Sequence, residues 1–337
     1  MLWQAMVAAP RRAWAAGREA APGGPPGSVE QPMSVDIDLL YGQHLTETDR
    51  QLLQGFGARP AGLAQVLEDP ALEEAIFGPE PAEEGPGPAL ARADGAGAAR
   101  LAGPSSSPPV AAPGLIGASP FLTFATAVHR TAVRLARASY VQERWAPRQR
   151  VPVFDVGPLR DLLADPARRF FLVELLASYT HVASGTTWQR TARGWRRRRF
   201  SELDPVRLAG LLEAVGPAER PGIYRRLGDL SLFLTGVFPD HRSILDLGEV
   251  GTGRLLRASG VRREGDERLS GQELLESLGR RWYSLAARSL KAAGMPLSGG
   301  LSVVDEMAER FIDARRTLNV VTDWYLFPWR DRWFGLG

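Results

Sequence analysis

Apolar residues recur every three to four positions along most of this chain, the period of helices that bury one face. Ser34-Val35-Asp36 leads toward Leu39, Leu40 and Tyr41, and Thr46-Glu47-Thr48-Asp49 offers an N-cap before Leu52, Leu53 and Phe56. Leu63, Val66 and Leu67 start another stripe, and Leu72, Ile76 and Phe77 end it. Ser119-Pro120, a cap followed by a first-turn proline, opens a long helix whose stripe is Phe121, Phe124, Ala125, Val128, Ala132, Leu135 and Ala136. Val151–Phe154 reads as extended, and Asp155 as the cap of a helix through Leu159, Leu162 and Leu163. Asp165-Pro166 starts the next, through Phe170, Phe171, Leu175, Leu176 and Tyr179. Ser201 or Asp204-Pro205 restarts helix through Leu208, Leu211 and Leu212, and further helices are expected over 218–236, 270–292 and 302–327.

Residues 184–200 break this rhythm. They lack a helical period and contain Gly185 and Gly194, so a hairpin-like or mobile excursion is expected there. Long alternating runs of the kind that build sheets are missing. The expected class is mainly α, an irregular multi-helix bundle with a small helical N-terminal unit.

The breakers divide the chain. Residues 1–32, with Pro22-Gly23-Gly24-Pro25-Pro26-Gly27, read as a disordered extension. Residues 33–78 read as a small acidic helical unit, 79–114 as a flexible linker rich in Pro, Ala, Gly and Ser, and 115–337 as the main helical domain. The N-terminus lacks a secretory pattern. Its Arg- and Ala-rich, acid-poor opening leaves an organellar transit peptide and a true start at Met33 both open.

Composition narrows the chemistry. Cysteine is absent, which removes disulfides, thiolate metal sites and cysteine nucleophiles together. No apolar run reaches the ~18–20 residues needed to span a bilayer. Leu227–Phe238 comes nearest, and Asp229 interrupts it. A cytoplasmic location is expected. The net charge is only +3, but residues 33–100 hold 12 acidic against 4 basic side chains, while 121–200 hold 15 Arg against 5 acidic ones. Such asymmetry suits either an external polyanion or pairing between the two regions. Lys291 is the only lysine, so positive charge here is nearly always arginine.

The densest charge lies in the irregular stretch. Trp188, Arg190, Arg193, Trp195, Arg196, Arg197, Arg198 and Arg199 interleave indoles with guanidinium groups. Arginine stays charged and is buried only against an anion, so this cluster must face water, an acidic partner or phosphate. Three occupants fit: an acidic protein surface, the chain's own acidic N-terminal unit, and nucleic acid, whose phosphates and unpaired bases suit Arg and Trp.

Other polar groups sit on apolar helices. Glu174, Ser178 and His181 share one helical face, and Thr126, His129 or Arg130, and Arg134 form a similar stripe. Glu174 with His129 and His181 would make an acid–base pair or part of a metal site, yet with four His in the chain and no HExxH the simpler expectation is that Glu174 pairs with an arginine of a neighbouring helix. Asp229 is expected to pair with Arg225 and Arg226, one turn earlier. The aromatic C-terminus, Trp324-Tyr325, Phe327, Trp329, Trp333 and Phe334, is expected to fold back and close the bundle, with a docking tail as the alternative.

Residues Ile244-Leu245-Asp246-Leu247-Gly248-Glu249-Val250-Gly251-Thr252-Gly253 resemble the first motif of S-adenosylmethionine-dependent methyltransferases. The resemblance implies a strand feeding a Gly-rich turn, with cofactor contacts at Asp246, Gly248, Gly251 and Gly253. One extra residue separates Gly248 from Gly251, and no alternation of strands and helices follows, so the residues themselves read as a loop between helices. The leading expectation is a non-catalytic helical interaction or regulatory protein, without cofactor or metal, that binds an acidic partner surface through its basic excursion. A nucleic-acid-binding protein is the second reading and an S-adenosylmethionine-dependent enzyme the third.

Overall fold

A computed structural model of the chain describes residues 37–56, 62–78, 117–146, 149–181, 184–191, 194–239, 247–261, 269–293 and 300–327. The protein is mainly α. Four short helices come first: α1 (Ile37–Gly42), α2 (Glu47–Gly55), α3 (Leu63–Leu67) and α4 (Pro70–Phe77). They begin where the caps place them. Thr46 and Asp49 form a reciprocal capping box, and Asp69 caps α4 ahead of Pro70. The long α5 (Pro120–Arg137) starts at Ser119, whose hydroxyl accepts the Leu122 amide.

Strands β1 (Val141–Ala146) and β2 (Gln149–Val153) then pair antiparallel. Only the second was expected, because β1 carries three consecutive polar residues, Gln142-Glu143-Arg144, and so lacks the alternation that marks a strand. Helices α6 (Gly157–Ala164) and α7 (Pro166–Ser178) follow, α7 capped by Asp165. Asp155 does not cap α6 as expected. The cap position is Val156, and Asp155 instead reaches Arg316 at 3.5 Å. Next come β3 (Ser184–Thr191) and β4 (Gly194–Ser201), then α8 (Pro205–Ala209) with a 3-10 turn at Gly210–Glu213. The remaining helices are α9 (Arg220–Val237), α10 (Gly248–Ser259), α11 (Gly271–Ala292), α12 (Gly300–Glu309) and α13 (Phe311–Val321).

The single helix expected over 302–327 is divided. Arg310 leaves helical geometry (φ −95°, ψ 21°), so α12 packs on α11 and α7 while α13 turns toward α9 and α6. The apolar period runs through the break, which is why the sequence hides it. A π turn at Thr322–Leu326 ends the described chain, its last bond running from the Phe327 amide to the Thr322 carbonyl at 2.7 Å. Tyr325 and Leu326 are buried there, Tyr325 lies 5.0 Å from the Phe77 ring, and Phe327 is half exposed. The start of the aromatic C-terminus thus packs into the bundle, while Trp329, Trp333 and Phe334 lie outside the described residues.

Helix α9 runs through the middle. Every residue from Leu227 to Val237 is buried, as expected of a helix apolar on all sides. It packs most extensively on α11, then on α13. Two glycines set the closeness of the first contact. A methyl added at Gly228 would come within 2.6 Å of the Tyr283 ring, and one at Gly279 within 2.5 Å of the Phe311 ring and 2.9 Å of Ser231. Both obstacles are buried side chains in a close-packed core, so neither yields freely. Gly279→Ala is therefore expected to destabilise the protein by about 1–3 kcal/mol through overpacking, despite alanine's better helix propensity. Urea unfolding measures this, and an unchanged midpoint would show that the crossing has slack.

Candidate functional site

The irregular stretch of the sequence is a regular antiparallel ribbon. Ser184 pairs with Ser201, Thr186 with Arg199, Trp188 with Arg197, Arg190 with Trp195, and Thr191 with Gly194. Gly194 takes φ 109° at the exposed turn, a conformation that favours glycine. Trp188 and Arg190 thus lie on β3, Trp195 and Arg196–Arg199 on β4, and Arg193 lies outside the described residues. The main contact of the ribbon with the helices is between β4 and α8.

One partly buried arginine joins the segments on either side of this ribbon. Ahead of β3, Arg226 of α9 donates to the Ser178 hydroxyl at 2.8 Å and lies 4.0 Å from the centre of the Tyr179 ring. Beyond β4, the same guanidinium meets the Glu202 carboxylate at 3.3 Å. Glu202 is only 5% exposed, so its charge is held where water screens it little. The clamp joins a stretch before the ribbon, one after it and a core helix. The sequence shows Arg226 only as a neighbour of Asp229, and nothing in it relates residues 178 and 202.

A second ion-pair set adjoins the clamp. Arg225 reaches Glu174 of α7 at 3.5 Å and Asp229 at 3.9 Å, and the Tyr283 hydroxyl donates to Asp229 at 2.9 Å. The expected pairing of Glu174 with an arginine across helices is thus present. Burial pushes the Glu174 and Asp229 carboxyls above the usual range, with Arg225 opposing the shift in both. Glu174, His129 and His181 do not converge. His181 is exposed and bonds to its neighbour Thr180, while His129 is buried against Tyr41 and Glu68. Among the described residues no group of three His, Asp or Glu side chains is placed to hold a metal ion.

The acidic N-terminal helices meet arginines of α5 and α7. Glu73 pairs with Arg130 and Arg134 of α5, and Glu68 with Arg169 of α7 at 2.9 Å. Asp49, fully buried, accepts the Ser119 amide at 2.7 Å and so joins α2 to the start of α5. Tyr41 sits among Phe121, Phe170 and His129 and shares a 3.1 Å hydrogen bond with the His129 Nε2.

Gly248, Gly251 and Gly253 lie in the first turns of α10 rather than in a turn between strand and helix. Gly248 is the first residue of the helix, and the amides of Gly251 and Gly253 fall within reach of helix carbonyls one turn earlier, so the loop expected here, and the turn between strand and helix implied by the methyltransferase resemblance, are both replaced by helix. Ile244–Asp246 lie outside the described residues. Among the described residues no helix is long and apolar enough to cross a membrane. No family model matches this chain, and neither a curated protein nor a solved structure shows significant similarity to it.

Proposed function

We propose that this is a non-catalytic helical interaction or regulatory protein that docks on the acidic surface of another protein through the β3–β4 ribbon. The observation that carries the reading is the ribbon itself. Arg196–Arg199 occupy successive register positions of one strand of a paired ribbon, and Arg226 joins the segments that flank it. A preorganised surface loses less conformational entropy on binding than a flexible tail does. The external partner is favoured over the chain's own N-terminal unit because Glu68 and Glu73 are already answered by Arg130, Arg134 and Arg169.

The test replaces Arg196, Arg197, Arg198 and Arg199 together by Ser. Binding to poly-glutamate and to single-stranded DNA of matched length and charge is measured by fluorescence anisotropy across a salt series. The expected result is poly-glutamate affinity reduced about tenfold or more in the variant, with a weaker salt dependence. Unchanged affinity would overturn the reading. Much tighter binding of DNA than of the matched polypeptide, lost in the same variant, would replace it with nucleic-acid binding.

A further inference from the structure

Directly paired residues of an antiparallel ribbon lie on the same face, and successive residues along each strand alternate between faces. The register therefore sorts the basic run into two different surfaces. Trp188 with Arg197, Arg190 with Trp195, and Thr186 with Arg199 share one face. Thr187 with Arg198, Gln189 with Arg196, and Gly185 with Phe200 share the other. The first face is a chequerboard in which each tryptophan stands opposite an arginine. Both faces are basic, and only the first alternates cation with indole.

We propose that the face bearing Trp188, Arg190, Trp195, Arg197 and Arg199 is the docking face. Its occupant is an extended acidic segment of a partner protein, with apolar residues interleaved among its carboxylates. This rests on the reading of the ribbon as a protein-docking element and adds the face and the kind of segment. Guanidinium forks bind carboxylates in a bidentate manner, and tryptophans anchor apolar side chains as the dominant residues of interfaces. Along each strand the tryptophan and arginine of this face are two residues apart, about 7 Å, matching the same-face repeat of an extended partner. Arginine alone does not distinguish the two faces, since each carries it. An occupant with apolar groups as well discriminates between them.

The experiment uses two double variants of the full chain. Arg197→Ser with Arg199→Ser, and Arg196→Ser with Arg198→Ser, each remove the same charge from the same strand but from opposite faces. The probes are a peptide alternating Glu with Leu, poly-glutamate, and single-stranded DNA of matched charge. Far-UV circular dichroism and the melting temperature verify that both variants fold. The expected result is a loss of about tenfold or more in Glu–Leu peptide affinity for the first variant and less than about threefold for the second. Trp188→Ala with Trp195→Ala should weaken the Glu–Leu peptide while leaving poly-glutamate within about twofold. Equal losses in the two arginine variants would overturn the face assignment while leaving the docking reading intact. No loss in either would overturn both. Discrimination between faces by DNA rather than by the peptide would make the occupant a nucleic acid.

Discussion

Arg225→Met is expected to destabilise the protein by about 3 kcal/mol at neutral pH and by much less near pH 4. The substituted side chain keeps much of the apolar stem and loses the charge. Glu174 and Asp229, both largely buried, would then face each other across α7 and α9 without the cation that now touches both. Tyr283 would still donate to Asp229, and Arg226 would remain nearby, but no other ion pair is available to Glu174 among the described residues. Burial already holds both carboxyls above their usual values, and losing Arg225 raises them further.

A carboxyl whose value is raised in the folded state binds protons that the unfolded chain has released. Stability is therefore complete below the unfolded values, near 4, and is lost as pH rises through the folded ones. Urea unfolding at acidic and neutral pH reads this directly. A loss of the same size at both would mean that Arg225 contributes packing alone. Adding Glu174→Gln and Asp229→Asn to Arg225→Met should recover most of the stability, because an uncharged set of similar shape carries no stranded charge.

Tyr41→Ala is expected to cost about 3–5 kcal/mol, concentrated in the attachment of the N-terminal helices. Tyr41 is fully buried, edge-on to Phe121 and Phe170, and its hydroxyl meets His129. Truncation removes the ring from a junction of α1, α5 and α7 and leaves the His129 Nε2 without that hydrogen bond. Tyr41→Phe, which keeps the ring, should cost only about 1 kcal/mol. Limited proteolysis of residues 37–78 and amide exchange over α1–α4 measure the loss. Unchanged protection in Tyr41→Ala would show that the arginine pairs alone hold the unit.

The same junction responds to acid. Burial lowers the His129 value, Arg169 adds to the effect, and Glu68 opposes it. The native state thus prefers the neutral ring. Its contribution is present above the ordinary histidine value, about 6.5, and is lost as pH falls below it toward the folded value. Protection of α1–α4 should weaken over that interval.

Much of the fold was legible because its signals are local. Ser119-Pro120, Asp165-Pro166, Asp204-Pro205 and the Thr46–Asp49 box each start a helix where the sequence places one, since a cap acts within a few residues of itself. The elements that escaped have weak or misleading local patterns. β1 does not alternate, the glycines of α10 imitate a turn, and α12 and α13 share one apolar period across a break that only their different neighbours explain. Asp155 has the composition of a cap but pairs with Arg316 from the far end of the chain.

By itself the sequence determined a mainly helical chain without thiol chemistry, an acidic region set against a basic one, and an arginine run that cannot be core. These follow from composition and from periods that each segment carries within itself. Tertiary structure alone decided which charges meet. Glu73 meets Arg130 of α5, Glu68 meets Arg169 of α7, and Asp49 accepts the Ser119 amide just ahead of α5. Arg226 is directed to Ser178 and Glu202, joining the segments that flank the ribbon. Strand register then set the two tryptophans on one face with three of the arginines. Ion pairs between distant segments depend on how helices pack, and a face depends on a register that shifts by one residue at a time. Neither is encoded at any single position of the chain.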